Sequence, residues 1–215
     1  MSWPVSVAGL SLALLAGMLR LFVLRGRVRL LESLAITDAL TGAYNRRHLD
    51  ECLSTAIERR ARHGESAALL LLDVDRFKQI NDSLGHAAGD RVLKSIAAVV
   101  RSRARRMDAL FRSGGEEFAL LLAGADLRDA TSVAEELRLA IERSALVEGG
   151  LSVSIGVSDL DAGHTPESWL HDADAALYLA KRAGRNLVAA RDGHIGPYRS
   201  DRTVPAHVTA PAPFH

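Results

Sequence analysis

Two pairs of carboxylates stand where apolar runs of this chain end. Ala67 to Leu72 closes in Asp73-Val74-Asp75, and Glu116-Glu117 follows Gly114-Gly115 just ahead of the apolar run Phe118 to Leu122. An aspartate at the end of a buried strand costs several kcal/mol unless it is paired or bound to metal, and Mg²⁺ takes carboxylate oxygens together with substrate phosphates. If the second segment pairs beside the first, Asp73 and Glu116 could share a metal site. A two-cation site polarises a phosphate and activates an attacking hydroxyl, the usual device of phosphoryl and nucleotidyl transfer. Either pair alone reads more readily as solvated acids in turns; two pairs, each beside a very apolar run, favour the metal reading. The glycines suit a tight hairpin that needs positive φ, and also a place where a backbone comes close to a nucleotide.

Positioning these acids requires strands and helices in alternation, and the apolar pattern supplies them. Leu49, Leu53 and Ile57 form a helical stripe, and Ala67 to Val74 reads as a buried strand. Val92, Leu93, Ile96, Ala97 and Val100 form a second stripe, then Asp108 to Arg112 and Phe118 to Leu122 a hairpin around the Gly-Gly turn. Val133, Leu137 and Ile141 mark a third helix, Leu151 to Val157 a strand, and Ala173 to Arg182 a last helix. This order predicts an α+β fold, a central, mainly antiparallel sheet with helices packed on one side.

A chain of 215 residues, 48% of them hydrophobic, suits one domain with flanking segments. Its 27 basic and 26 acidic residues leave no overall electrostatic footprint for nucleic acid, and the eight histidines form no metal-ligand spacing. The single cysteine, Cys52, excludes an intramolecular disulfide and reads as a small buried hydrophobe. Trp3 to Met18 is apolar or small apart from two serines, Arg20 interrupts, and Leu21 to Leu24 resumes the run. With Arg20, Arg25, Arg27 and Arg29 all following the apolar core, residues 1–24 are expected to form a membrane helix with the rest of the chain in the cytoplasm. The alternative is a docking helix, or the remnant of a larger membrane domain. Residues 25–36 continue as a connecting helix able to pair with its copy, 37–190 hold the folded domain, and 191–215 form a disordered tail containing four of the six prolines.

Arg112-Ser-Gly-Gly-Glu-Glu-Phe118 resembles the string that names the GGDEF family, here in its glutamate form. Asp38-Ala-Leu-Thr-Gly-Ala-Tyr-Asn-Arg-Arg47 resembles the opening segment of that family. Asp73-Val-Asp-Arg-Phe-Lys-Gln-Ile-Asn-Asp82 with Gly85-His-Ala-Ala-Gly-Asp90 resembles its metal and base-recognition segment. Ser154-Ile-Gly-Val157 and the run from Asp174 to Asn186 resemble its close. The resemblance implies a domain like the palm of nucleotide cyclases, and a diguanylate cyclase that condenses two GTP into cyclic di-GMP and two pyrophosphates.

Laid on these residues, the resemblance implies that Asp73, the carbonyl of Val74 and Glu116 hold two Mg²⁺, for which Mn²⁺ substitutes. Asn81 and Asp90 bind the guanine edge, and Lys78, Lys181 and Arg185 the triphosphate. Lys181 and Arg185, four apart, are expected on one face of a helix. Gly114 and Gly115 make room for the nucleotide, Glu117 is an acid beside the 3′-hydroxyl, and Arg112 is structural. Arg105 and Asp108 match an Arg-x-x-Asp site at which cyclic di-GMP inhibits relatives. The position aligned with the further arginine of that site reads Glu136, with Arg138 nearby. Turnover requires a homodimer, since each domain resembles half an active site, and the expected location is the bacterial inner membrane. The competing function is a catalytically silent module that binds GTP or cyclic di-GMP.

Overall fold

The structure is a computed structural model, and it describes residues 11, 14–15, 17–22, 36–144, 147 and 150–197. Its six strands are β1 (Tyr44–Asn45), β2 (Ala67–Val74), β3 (Ala109–Arg112), β4 (Glu117–Ala123), β5 (Val153–Asp159) and β6 (Val188–Ala190). The helices are α1 (Arg46–His63), α2 (Phe77–Leu84), α3 (His86–Arg103), α4 (Leu127–Glu142) and α5 (Pro166–Arg182). The strands form one sheet in the order β1-β3-β4-β2-β5-β6. The three inner pairings are antiparallel, while β1 and β6 add in parallel at the two edges, so the sheet is mixed.

The period of two along β2 divides its apolar residues between two cores. Ala68, Leu70, Leu72 and Val74 face a core built with α2, α3 and α4; Ala67 and Leu69 face a second core with Leu49 and Leu53 of α1 and Trp169 and Ala173 of α5. Helices therefore cover both faces, not one. The sequence order of elements does not say on which side each helix lands; the continuous apolar run of β2, with no polar alternation, is the trace of two-sided burial.

Helix ends follow local chemistry. Asn45 caps α1 by accepting from the His48 amide, and Gly64 closes it in the left-handed conformation at φ 70°. Thr165 and Ser168 form a reciprocal cap at the start of α5, with Pro166 in its first turn. The Ser-Ile-Gly-Val segment has a packing reason: a Cβ on Gly156 would lie 2.2 Å from both the Ala173 carbonyl oxygen and the Leu177 amide nitrogen. Only glycine lets α5 lie this close to β5.

The expected membrane helix is corrected. Residues 17–22 are helical, but among the described residues no helix is long and apolar enough to cross a membrane. Residues 11 and 14–15 are helical too; the rest of 1–24 and the connecting segment before Ile36 lie outside the described residues. The tail is corrected in part as well. Residues 191–196 fold back on β6, with the Gly196 amide donating to the Val188 carbonyl, and Arg191 pairs with Asp159 and Asp161 at 2.6 and 2.5 Å; residues after 197 lie outside the description.

Gly156→Ala is expected to lower stability by about 3 kcal/mol, because the methyl meets backbone that cannot turn aside. Urea unfolding measures this, and a midpoint unchanged from wild type would contradict the packing.

Candidate active site

The ends of β2 and β4 bring three acids together. Asp73 stands opposite Glu117 across the β2–β4 pair and opposite Ser154 across the β2–β5 pair. The Val74 amide donates to the Glu116 carbonyl at 3.4 Å, so Glu116 adjoins the end of β2. Asp73 alternates with Leu69 and Leu71 and therefore faces α5. From the last turn of α5, Lys181 Nζ reaches to 2.8 Å from Asp73 Oδ2, a contact whose side chains are 32% and 12% exposed. Burial pushes the Glu116 carboxyl up, and the charges of Asp73 and Glu117 add to this while Lys181 opposes it.

Excess negative charge of this kind favours a cation. Among the described residues no three His, Cys, Asp or Glu side chains gather closely enough to hold a metal ion by themselves. Two carboxylates and a strand-end carbonyl are nonetheless a donor set that fits Mg²⁺, which completes its shell with phosphate and water. In this structure the Lys181 ammonium is the cation at Asp73.

The turn that carries Glu116 is tied down by Arg112. Its Nε and Nη2 donate to the Gly115 carbonyl at 3.2 and 2.7 Å, and its Nη1 donates to both oxygens of Asp38 at 3.1 Å. Asp38 also accepts from the Thr41 amide and hydroxyl at 2.8 and 2.6 Å. Arg112 is structural, as expected. The reading of the glycines changes. Neither Gly114 nor Gly115 has positive φ. A Cβ on Gly114 would lie 2.5 Å from Glu117 Oε2, so the first glycine makes room for the neighbouring acid, whereas Gly115 is open.

Beyond β2 the chain enters α2 through Arg76 in the left-handed region at φ 57°, and no side chain caps the helix. The helix thus opens without a side-chain cap two residues past the end of β2, an arrangement suited to phosphate, with exposed Lys78 in its first turn. Asn81 lies on the far end of α2. A Cβ on Gly89 would come within 2.0 Å of Asn81 Oδ1 and 3.0 Å of the Phe77 ring, so this glycine lets α3 close on the amide. Asp90 follows, exposed, in the first turns of α3.

Arg185 is not on a helix face with Lys181. Helix α5 ends at Arg182, and Gly184, Arg185 and Asn186 have φ of 135°, 65° and 49°. Arg185 instead lines a cleft of 530 Å³ with Asp75, Arg76 and Gln79. Three consecutive positive φ values, two of them at residues with a Cβ, have no signature in helical periodicity.

At the other end of the hairpin, Asp108 Oδ2 accepts from the Arg105 amide at 2.7 Å, while the Arg105 side chain is exposed. Arg138 is turned elsewhere, its guanidinium bonded to Glu135, Glu142 and Asn186. Glu136 and Arg143 line a separate cleft with Arg103. Sequence reasoning gave Asp75 no role beyond its place in the pair and missed Asp38, Asn186 and the α2 amides; the Asp-x-x-Thr spacing at Asp38 was the available signal for the first of these, a side chain that closes its own turn.

Burial alone would raise the Asp38 carboxyl, but hydrogen bonds from Thr41 and Arg112 outweigh it and hold it below the ordinary carboxylate range. A depressed carboxylate contributes stability that is complete above its unfolded value and lost as pH falls through the folded one. Asp38→Asn should therefore melt lower than wild type at neutral pH, and the gap should close below about pH 4. A gap that does not change with pH contradicts the assignment.

Residues 35–187 match the family described as "Diguanylate cyclase, GGDEF domain". The chain is 39% identical to the response regulator PleD of Caulobacter vibrioides over 165 residues, covering 74% of this chain and 36% of PleD. It is 44% identical to the diguanylate cyclase DgcP of Pseudomonas aeruginosa over 156 residues, covering 71% of this chain and 23% of DgcP. The chain thus spans about a third or less of these curated relatives. The crystal structure of the GGDEF domain of DgcB from Caulobacter crescentus, in complex with c-di-GMP, superposes with a TM-score of 0.70 at 35% identity, covering 74% of this chain and 97% of that one. With its motifs carried on the strand ends and turns described above, the chain belongs to the GGDEF domain family.

Proposed function

We propose that the protein is a diguanylate cyclase. The observation that carries this is the meeting of Asp73 and Glu116 at the ends of β2 and β4, beside the uncapped N-terminus of α2 and the Lys181 ammonium. The sequence similarity to DgcP and the c-di-GMP complex of DgcB support the choice of reaction. Asn81 and Asp90 bind the guanine edge, offering an amide and a carboxylate to its acceptors and donors. Lys78, Lys181, Arg185 and the first amides of α2 hold the triphosphate. Asp73, the Val74 carbonyl and Glu116 would hold Mg²⁺, two ions with Mn²⁺ as a substitute, and the metal when bound would polarise the α-phosphate and lower the cost of ionising the 3′-hydroxyl.

In each of two transfers the bond from the 3′-oxygen to the α-phosphorus forms, the bond to the β-phosphate bridge breaks, and pyrophosphate leaves. Glu117, exposed at the same edge and opposite Asp73, assists the departing 3′-hydroxyl proton. One chain presents one set of these groups, so turnover requires two copies face to face, and their pairing is a point of control. Arg105 and Asp108 form a separate site at which the product inhibits, the exposed guanidinium meeting phosphate or guanine.

The test is incubation of the full chain with GTP and Mg²⁺, with product identified by mass spectrometry. Wild type is expected to make cyclic di-GMP, and Glu116→Ala to fall by about a hundredfold or more, the loss of a group acting on transition-state charge. GTP recovered unchanged from a demonstrably dimeric wild-type sample overturns the cyclase. Arg105→Ala should raise the product concentration for half-inhibition by about tenfold, the worth of one charge-assisted contact; an unchanged value removes the inhibitory site.

A further inference from the structure

The second aspartate of the β2 pair has no part in the chemistry described above, yet it is among the most completely bonded groups in the domain. Asp75 is 7% exposed. Its Oδ1 accepts from Ser154 Oγ at 2.7 Å, and its Oδ2 from Ser152 Oγ at 2.7 Å and from the Asn186 amide at 2.9 Å. A buried carboxylate satisfied only by neutral donors is costly to keep, and these oxygens are committed to protein rather than directed to a cation.

The main-chain donor follows Arg185 directly. Arg185 and Asn186 both adopt left-handed backbone, which residues with a Cβ avoid unless the surroundings impose it. Here the turn is pinned from both sides. The Arg185 amide donates back to the Ala180 carbonyl of α5 at 3.1 Å, and the next amide is the one held by Asp75. Beyond it, the Asn186 side chain accepts from Arg138 at 2.8 Å and donates to Glu142 at 2.6 Å, both on α4. We infer that Asp75 is a positioning residue: through Asn186 it fixes the backbone of Arg185 in the conformation that presents the guanidinium to the triphosphate, an inference that rests on the nucleotide reading of the preceding section. Asp73 and Asp75 then divide the work of one strand end, one directed to the reacting phosphate and the other to the turn that supplies a phosphate-binding cation.

The experiment compares binding of a non-hydrolysable GTP analogue and of GMP, with Mg²⁺, by calorimetry on the full chain. Asp75→Ala should weaken the analogue about tenfold, the value of one charge-assisted contact, and leave GMP within about twofold. Asp75→Asn retains an acceptor for the Asn186 amide, with Ser154 Oγ free to reverse as an acceptor, and should restore wild-type affinity. The double variant Asp75→Ala with Arg185→Ala should bind the analogue no more weakly than Arg185→Ala alone. Equal losses for GMP and the analogue, or losses of the two single variants that multiply, overturn the positioning role. If Asp75→Ala does not fold, Asp75→Ser, whose shorter hydroxyl stays a polar partner for the serines but does not reach the Asn186 amide, should show the same selective loss; an unchanged analogue affinity there overturns the proposal. A folded wild type that binds neither nucleotide overturns the nucleotide reading itself, and an Arg185→Ala variant that binds the analogue normally removes Arg185 from it.

Discussion

Burial of β2 on both faces and along both edges is the constraint from which the site follows. The strand pairs with β4 and β5 and is apolar toward both helical layers, so along most of its length it can carry no polar side chain. Polar groups become affordable only at its C-terminal end, and there they come in quick succession: Asp73 on one face, the strand-end carbonyl of Val74, and Asp75 beyond. Strand β4 runs the other way, so its first residue, Glu117, and Glu116 just before it fall at that same end. Antiparallel pairing converts two distant stretches of sequence into one acidic edge.

Electrostatics at that edge are unbalanced by design of the fold rather than by any single residue. Three carboxylates face one ammonium, and Glu116, already held up by its burial, resists ionisation further because of that surplus. The closeness of α5 to β5 over Gly156 matters here, because it brings the last turn of α5, and Lys181 with it, to the level of Asp73. On the opposite face, Gly89 does the equivalent for α3, allowing it to close on the amide of Asn81. Two absent methyl groups thus set the spacing of the layers that carry the polar side chains.

Much of this was legible in the sequence, and the limits have physical causes. The apolar run of Ala67 to Val74 coincides with β2 residue for residue, and the stripe from Val92 to Val100 is the buried face of α3, because strong periodicity reports burial directly. Asp73 and Glu116 come together where their apolar runs end, because β2 and β4 pair antiparallel. Periodicity is silent, however, on which side of a sheet a helix lands, and the one-sided layer arrangement failed for that reason. It is equally silent on left-handed backbone: Arg185, four residues after Lys181, looked helical and is not. Asp75 and Asn186 lie far apart in sequence and have no local pattern that joins them; their bond exists only once β5 and the turn after α5 are in place. The apolar N-terminal segment reads as a span by composition, whereas among the described residues no helix is long and apolar enough to cross a membrane.

The guanidinium of Arg112 has a mechanical consequence. It is a flat, stiff group, and its two arms grip different parts of the molecule: one the carbonyl of Gly115, in the turn that ends at Glu116, the other the carboxylate of Asp38, where the chain enters the domain. Neither can shift without dragging the other. A twist or pull delivered to the chain ahead of Asp38 arrives within a few bonds at the turn that carries Glu116, without passing through the hydrophobic core at all. The doorway of the domain and its working edge are joined by a single rigid tie.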